Sequence, residues 1–90
     1  MAFILICEDK KNSLELRIKT RKQHLAYLSS FKENIILAGP LEKKNLDPKG
    51  SIIILDFEDK KKVEEFLKND PYTLANLFKK IKIIKFKRVL

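Results

Sequence analysis

Residues 2–7 (Ala2, Phe3, Ile4, Leu5, Ile6, Cys7) and residues 52–55 (Ile52, Ile53, Ile54, Leu55) are apolar at consecutive positions. Successive side chains of a strand point to opposite faces of its sheet. Segments like these therefore put apolar surface on both faces, and both need a cover. A chain of 90 residues makes one domain, residues 1–90, with helices enough for one face only. The other face needs a second copy of the chain, sheet against sheet, or it is an aggregation liability. The pattern thus predicts a homodimer through its sheet faces.

The remaining elements follow from punctuation and periodicity. Ala2–Glu8 reads as a strand. Residues 9–19 are mixed: Leu14, Leu16 and Ile18 alternate with Glu15, Arg17 and Lys19, and the segment reads as an irregular or partly helical connection. Thr20 and Gln23 match a capping box, with Leu25, Leu28 and Phe31 at helical spacing behind it, so a helix is expected over 21–32. Residues 35–38 form a short strand entering a turn at Gly39-Pro40. Residues 41–50 read as a loop and 51–57 as a strand. Asp59 caps a helix over 60–68, with Val63, Phe66 and Leu67 as its apolar stripe. Asp70-Pro71 starts a further short helix holding Tyr72, Leu74, Ala75 and Phe78, and 80–90 is the last strand. The order β-α-β-β-α-β, with a small extra helix before the last strand, is the ferredoxin-like α+β pattern on an antiparallel sheet.

Composition narrows the function. The net charge of +8 would attract nucleic acid, but seventeen of the twenty basic residues are Lys and three are Arg. Nucleic-acid sites favour Arg, whereas an excess of Lys with Ile and Asn is what AT-rich coding produces. The basic tail (Lys79, Lys80, Lys82, Lys85, Lys87, Arg88) offers only Phe86 for base stacking, and its lysines read better as a guard against edge pairing. The apolar stretch 1–7 is far short of the roughly 20 residues of a membrane span. No basic segment precedes it, so no membrane partner and a cytoplasmic location are expected. One cysteine and one histidine exclude a disulfide and His-rich or Cys-only metal sites, and no cofactor or metal is implied.

Few residues remain that could carry chemistry. His24 aligns with Leu28 and Phe31 on a helix, at the border of core and solvent, with Arg21 on the same side. That placement suits a proton-transfer group, and by position alone it suits an ordinary boundary histidine better. Asp70 would orient His24 and stabilise its charged form, or simply cap the helix that Pro71 begins, and one oxygen could serve each role. Tyr72 is either a hydrogen-bond donor to a substrate or a core aromatic. Cys7, inside an apolar strand, reads as a small buried hydrophobe.

These residues have a familiar order. Arg21-Lys22-Gln23-His24-Leu25 with Tyr27-Leu28, then Ala38-Gly39-Pro40-Leu41, Gly50, and Asn69-Asp70-Pro71-Tyr72 with Ala75 make the chain resemble the YciI-like proteins of the YCII-related domain family. Glu8-Asp9-Lys10 and Ser13–Arg17 match in length and character. The resemblance implies a ferredoxin-like fold of the dimeric α+β barrel superfamily. It also implies a pocket beside the sheet that uses a His and an Asp, roles that fall on His24 and Asp70. Some members remove chloride from a hydroxyquinone-type substrate, and related barrels include lactone isomerases and monooxygenases that need no metal or flavin. The high Lys content departs from the family and adds nothing to its pocket.

The combined expectation is a small enzyme with His24 as general acid/base and Asp70 as its partner, acting on a small aromatic or enolisable substrate. Arg21 would hold an anionic or enolate oxygen, Tyr72 would donate a hydrogen bond, and Gly39-Pro40 would shape a wall by turning closely. The alternatives are a non-catalytic dimeric module for a small anionic ligand and a nucleic-acid-binding protein using the basic tail.

Overall fold

A computed structural model describes residues 2–90. Its elements are β1 (Ala2–Asp9), α1 (Leu14–Ser29), β2 (Ile35–Glu42), β3 (Pro48–Leu55), α2 (Lys60–Asn69), α3 (Pro71–Leu74) and β4 (Phe78–Phe86). The strands form one four-stranded sheet in the order β2-β3-β1-β4, every neighbouring pair antiparallel. This is the ferredoxin-like arrangement, with α3 inserted ahead of β4.

The two apolar segments lie side by side in the centre, with Leu5 opposite Ile53 and Ile4 opposite Ile54. Phe3, Leu5, Cys7, Ile53 and Leu55 pack under Leu28 of α1 and Val63, Phe66 and Leu67 of α2. Their alternates Ile4, Ile6, Ile52 and Ile54 face the other way and are only half-buried. On the flanking strands, Leu37 (opposite Ile54) and Ile84 (opposite Ile4) extend that apolar face and are 50% and 43% exposed. A band of aliphatic side chains thus crosses all four strands with no helix above it. No helix of the described residues is long and apolar enough to cross a membrane.

Several boundaries differ from the sequence expectation. α1 begins at Leu14 rather than Arg21 and ends at Ser29, where the Ser30 hydroxyl donates to the Tyr27 carbonyl. The Thr20–Gln23 capping box is not formed: Thr20 lies mid-helix, its hydroxyl donating to the Leu16 carbonyl at 2.8 Å. The buried residues of α1 are Arg17, Thr20, His24 and Leu28. Three of these four are polar, so the inward stripe carries no apolar periodicity over its first half.

Gly39-Pro40 is not a turn but the middle of β2, with Gly39 opposite Ile52 and Pro40 opposite Ser51. Proline is tolerated there because β2 is an edge strand and need not donate outward. Neither glycine has a positive φ, and a Cβ on Gly39 would meet nothing, so the close turn expected of Gly39 does not exist. β3 starts at Pro48, which shortens the loop, and it ends at Leu55. Gly50 lies inside it, where a Cβ would strike the carbonyl oxygen of Cys7 on β1. β4 runs from Phe78 to Phe86, so Phe78 belongs to the sheet rather than to α3, and Leu74 points to solvent.

Candidate active site

Local geometry sets Asp70. Pro71 disfavours a helical conformation at the residue before it, and Asp70 is extended (φ −64°, ψ 130°), so α2 stops there and α3 starts with Pro71 in its first turn. The Asp70 Oδ1 accepts the Tyr72 backbone N–H at 2.9 Å and caps α3. The same oxygen lies 2.8 Å from His24 Nδ1. Cap and partner are therefore one atom, rather than the two oxygens expected from the sequence. Both side chains are buried. A carboxylate only accepts, so Nδ1 carries the hydrogen and Nε2 is left as the basic nitrogen of the neutral ring.

Tyr72 stacks on His24, with ring centroids 3.9 Å apart and planes inclined by 16°. The guanidinium of Arg17 lies 4.6 Å from the same ring centroid. Arg17 and His24 are seven residues apart on α1, two turns and about 10 Å along one face. The Tyr72 ring fits between them as a wedge. Arg17 is held in place by Asp9 at the end of β1: Nε donates to Oδ2 at 2.6 Å and Nη2 to Oδ1 at 3.0 Å. Nη2 also donates to Ser51 Oγ on β3 at 2.7 Å. Two buried acid–base pairs, Arg17 with Asp9 and His24 with Asp70, thus flank one tyrosine. Burial pushes the Tyr72 hydroxyl above its ordinary 10.0, against a weaker downward pull from Arg17 and Arg21, so it stays protonated at neutral pH.

Beside this cluster is a cavity of about 110 Å³ lined by Arg21, His24, Leu28, Pro40, Ser51 and Tyr72, among others. Gly39 also contributes to the wall. The structure therefore brings all six expected site residues to one place: five line the cavity, and Asp70 stands behind His24. Arg21 is exposed at the edge, while the others are buried or belong to strand β2. Broader hollows of about 620 Å³ beside Ala2 and Phe86 and about 550 Å³ beside Lys10–Leu14 do not reach His24, the chain's one histidine.

Asp9, Arg17 and Ser51 were not expected at the site. The spacing of Arg17, seven before His24, is the signal that would have found it, had α1 been extended back to Leu14. Ser51 and Asp9 give no local signal, because only the sheet joins them. Cys7 lies on the helix-facing side of β1, and its thiol is pushed up to about 12, chiefly by burial and next by the Asp70 carboxylate, which leaves it no nucleophile.

Known proteins share this arrangement of elements. The 5-chloro-2-hydroxyhydroquinone dehydrochlorinase (TftG) of Burkholderia phenoliruptrix, solved in complex with 2,5-dihydroxybenzoquinone, is 33% identical with a TM-score of 0.92, over 99% of this chain and 96% of that one. A structure of an antibiotic biosynthesis monooxygenase, 8% identical with a TM-score of 0.59 over 99% and 98% of the two chains, shares the fold alone, that of the dimeric α+β barrels. Among curated proteins, Protein YciI of Escherichia coli is 30% identical over 97 aligned positions, covering 99% of both chains. An uncharacterized protein of Haemophilus influenzae is 32% identical over the same span and coverage. Residues 1–87 match the YCII-related domain, and with relatives alike over their full length the chain belongs to the YCII-related domain family.

Proposed function

We propose that this chain is a small acid/base enzyme in which His24 moves a proton at Nε2 while Asp70 orients the imidazole and stabilises its charged form. One observation carries the reading: Nδ1 is bound to a buried carboxylate, and the imidazole lines a cavity with no hydrogen-bond partner for Nε2 among the described residues. The cavity, at about 110 Å³, is on the scale of a single small ring. The likeness to a dehydrochlorinase supports a hydroxylated ring as substrate class. In that chemistry the ring first tautomerises, the chlorine-bearing carbon taking the proton of one hydroxyl as that oxygen becomes a carbonyl. Nε2 then removes the proton of a second hydroxyl, its O–H pair becomes the other ring carbonyl, the displaced ring π pair forms the double bond to the tetrahedral carbon, and chloride leaves with the C–Cl pair. The net loss is HCl, and the imidazolium then returns its proton to water. Arg21 at the mouth balances the developing oxyanion, and the Tyr72 hydroxyl is a donor. The apolar sheet face is covered by a second copy of the chain, as in the barrels whose fold it shares.

The test is chloride release from 5-chloro-2-hydroxyhydroquinone. His24→Asn lowers the rate by about 10²–10⁴-fold, the range of general acid/base catalysis. Asp70→Asn lowers it too, because the carboxylate that holds the Nδ1–H tautomer and the ring orientation is gone. Binding without turnover would leave a non-catalytic binding module instead, and turnover indifferent to His24 would overturn the role given to His24.

A further inference from the structure

A hollow of about 550 Å³ lies at the end of the sheet where β1 gives way to α1 and β2 turns back into β3. Four lysines line it, Lys10 and Lys11 from the first connection and Lys43 and Lys49 from the β2–β3 hairpin. Glu8 and Asp9 line it too, but each is engaged by a cation outside it. Both oxygens of Asp9 accept from Arg17, which lines the His24 cavity instead. Glu8 lies 3.8 Å from Lys79 Nζ. Among the described residues none of the four lysines has a carboxylate at ion-pair distance. Their charges therefore repel one another without local compensation, and concave walls focus the field they make. The basic hollow at the other end of the sheet differs: Asp56 lines it beside Lys85, Lys87 and Arg88, and the Arg88 Nε already donates to the Leu90 carbonyl.

We propose that the four-lysine hollow binds a small metabolite carrying two phosphate groups. Four ammonium charges match two phosphoryl groups, each of about −1.5 to −2 at neutral pH. The residue type favours phosphate over carboxylate. Among the described residues no arginine lines the hollow, so the planar fork that grips a carboxylate is missing, whereas lysine binds phosphate as a point charge. The volume falls within the range of about 300–1,000 Å³ typical of small-molecule sites. The four side chains are exposed, so a charged ligand reaches them from solvent and its affinity falls as salt rises. Pro48 is the one residue that lines both this hollow and the His24 cavity. The phosphate site is thus separate from the acid/base site and stands whether or not His24 moves a proton.

The probe is inorganic pyrophosphate, titrated into the full chain at about 0.15 M salt and followed by backbone amide resonances in NMR. Saturable shifts confined to residues 10–14 and 43–49 are expected, with the His24 ring resonances unmoved. Lys11→Gln combined with Lys43→Gln weakens binding about tenfold, the worth of two exposed ion pairs. Lys85→Gln combined with Lys87→Gln removes as much charge from the other hollow and leaves the affinity unchanged. All four side chains are exposed, so neither double variant disturbs the core. Equal weakening by both double variants overturns the site, because binding then follows net charge alone, and the absence of saturable shifts overturns it too. Single inorganic phosphate bound as tightly as pyrophosphate overturns the assignment of two phosphate groups. A short DNA duplex that displaces pyrophosphate at lower concentration makes this a nucleic-acid surface and overturns the small-metabolite assignment.

Discussion

A single oxygen, Asp70 Oδ1, caps the helix that Pro71 begins and fixes the tautomer of the only histidine. Residues at this site have their chemistry set by neighbours more than by type. Cys7 shows the same at the next position inward. Its thiol, ordinarily near 9.0, is pushed up to about 12 by burial first and the Asp70 carboxylate second, with Arg17 pulling down. The sign follows from proton release. As pH rises past about 9 the unfolded chain loses the thiol proton and the folded chain keeps it, so stability present below that pH drains away up to about 12, by at most about 1.4 kcal/mol per pH unit. Tyr27 and Tyr72, also raised by burial, act in the same direction above 10.0. Urea midpoints are therefore expected to fall between about pH 8 and about pH 10.5, and to fall less in Cys7→Ala. An equal fall in both proteins would contradict the burial argument.

α1 explains why part of the site was hidden. From Leu14 to Thr20 its inward residues are Arg17 and Thr20, while Ile18 is 62% exposed. Apolar periodicity, the main sign of a helix in sequence, is absent because the buried face holds a charged anchor. The segment read as period-two for the same reason. α2, with Val63, Phe66 and Leu67 inward and Asp59 accepting from the Lys62 N–H, was legible almost to the residue. In the strands the two glycines divide. Gly50→Ala is expected to cost about 1–3 kcal/mol or more, because its Cβ meets the Cys7 carbonyl on the neighbouring strand. Gly39→Ala has open space and should stay within about 0.5 kcal/mol. Denaturant midpoints of the two variants give the comparison, and equal values would mean the β1–β3 approach is looser than described.

For the molecule as a whole, the apolar band from Leu37 through Ile54 and Ile4 to Ile84 is the feature that function has yet to absorb. A face of this kind is rare on a monomer. The wild type is expected to sediment as two chains, and Leu37→Asp or Ile84→Lys as one, since both side chains are exposed in the single chain and their loss leaves its core intact. A wild type that sediments as one chain removes the dimer. The basic residues of β4 divide, Lys80 and Lys82 falling with Ile84 on the open face and Lys85 with Ile83 on the helix face, so no continuous basic stripe runs along the strand. The order of elements, the two-faced apolar strands and the Asp70-Pro71 break were legible in the sequence, because each rests on periodicity or dihedral limits within a few positions; the six residues assigned to the pocket were picked by residue type and by the family resemblance. It took the assembled fold to show that His24 and Asp70, 46 positions apart, share a hydrogen bond, that Arg17 reaches Ser51 across 34, and that Tyr72 packs against both His24 and Arg17. Those contacts exist because the sheet and α1 bring distant segments together, and no local preference of the chain encodes that distance.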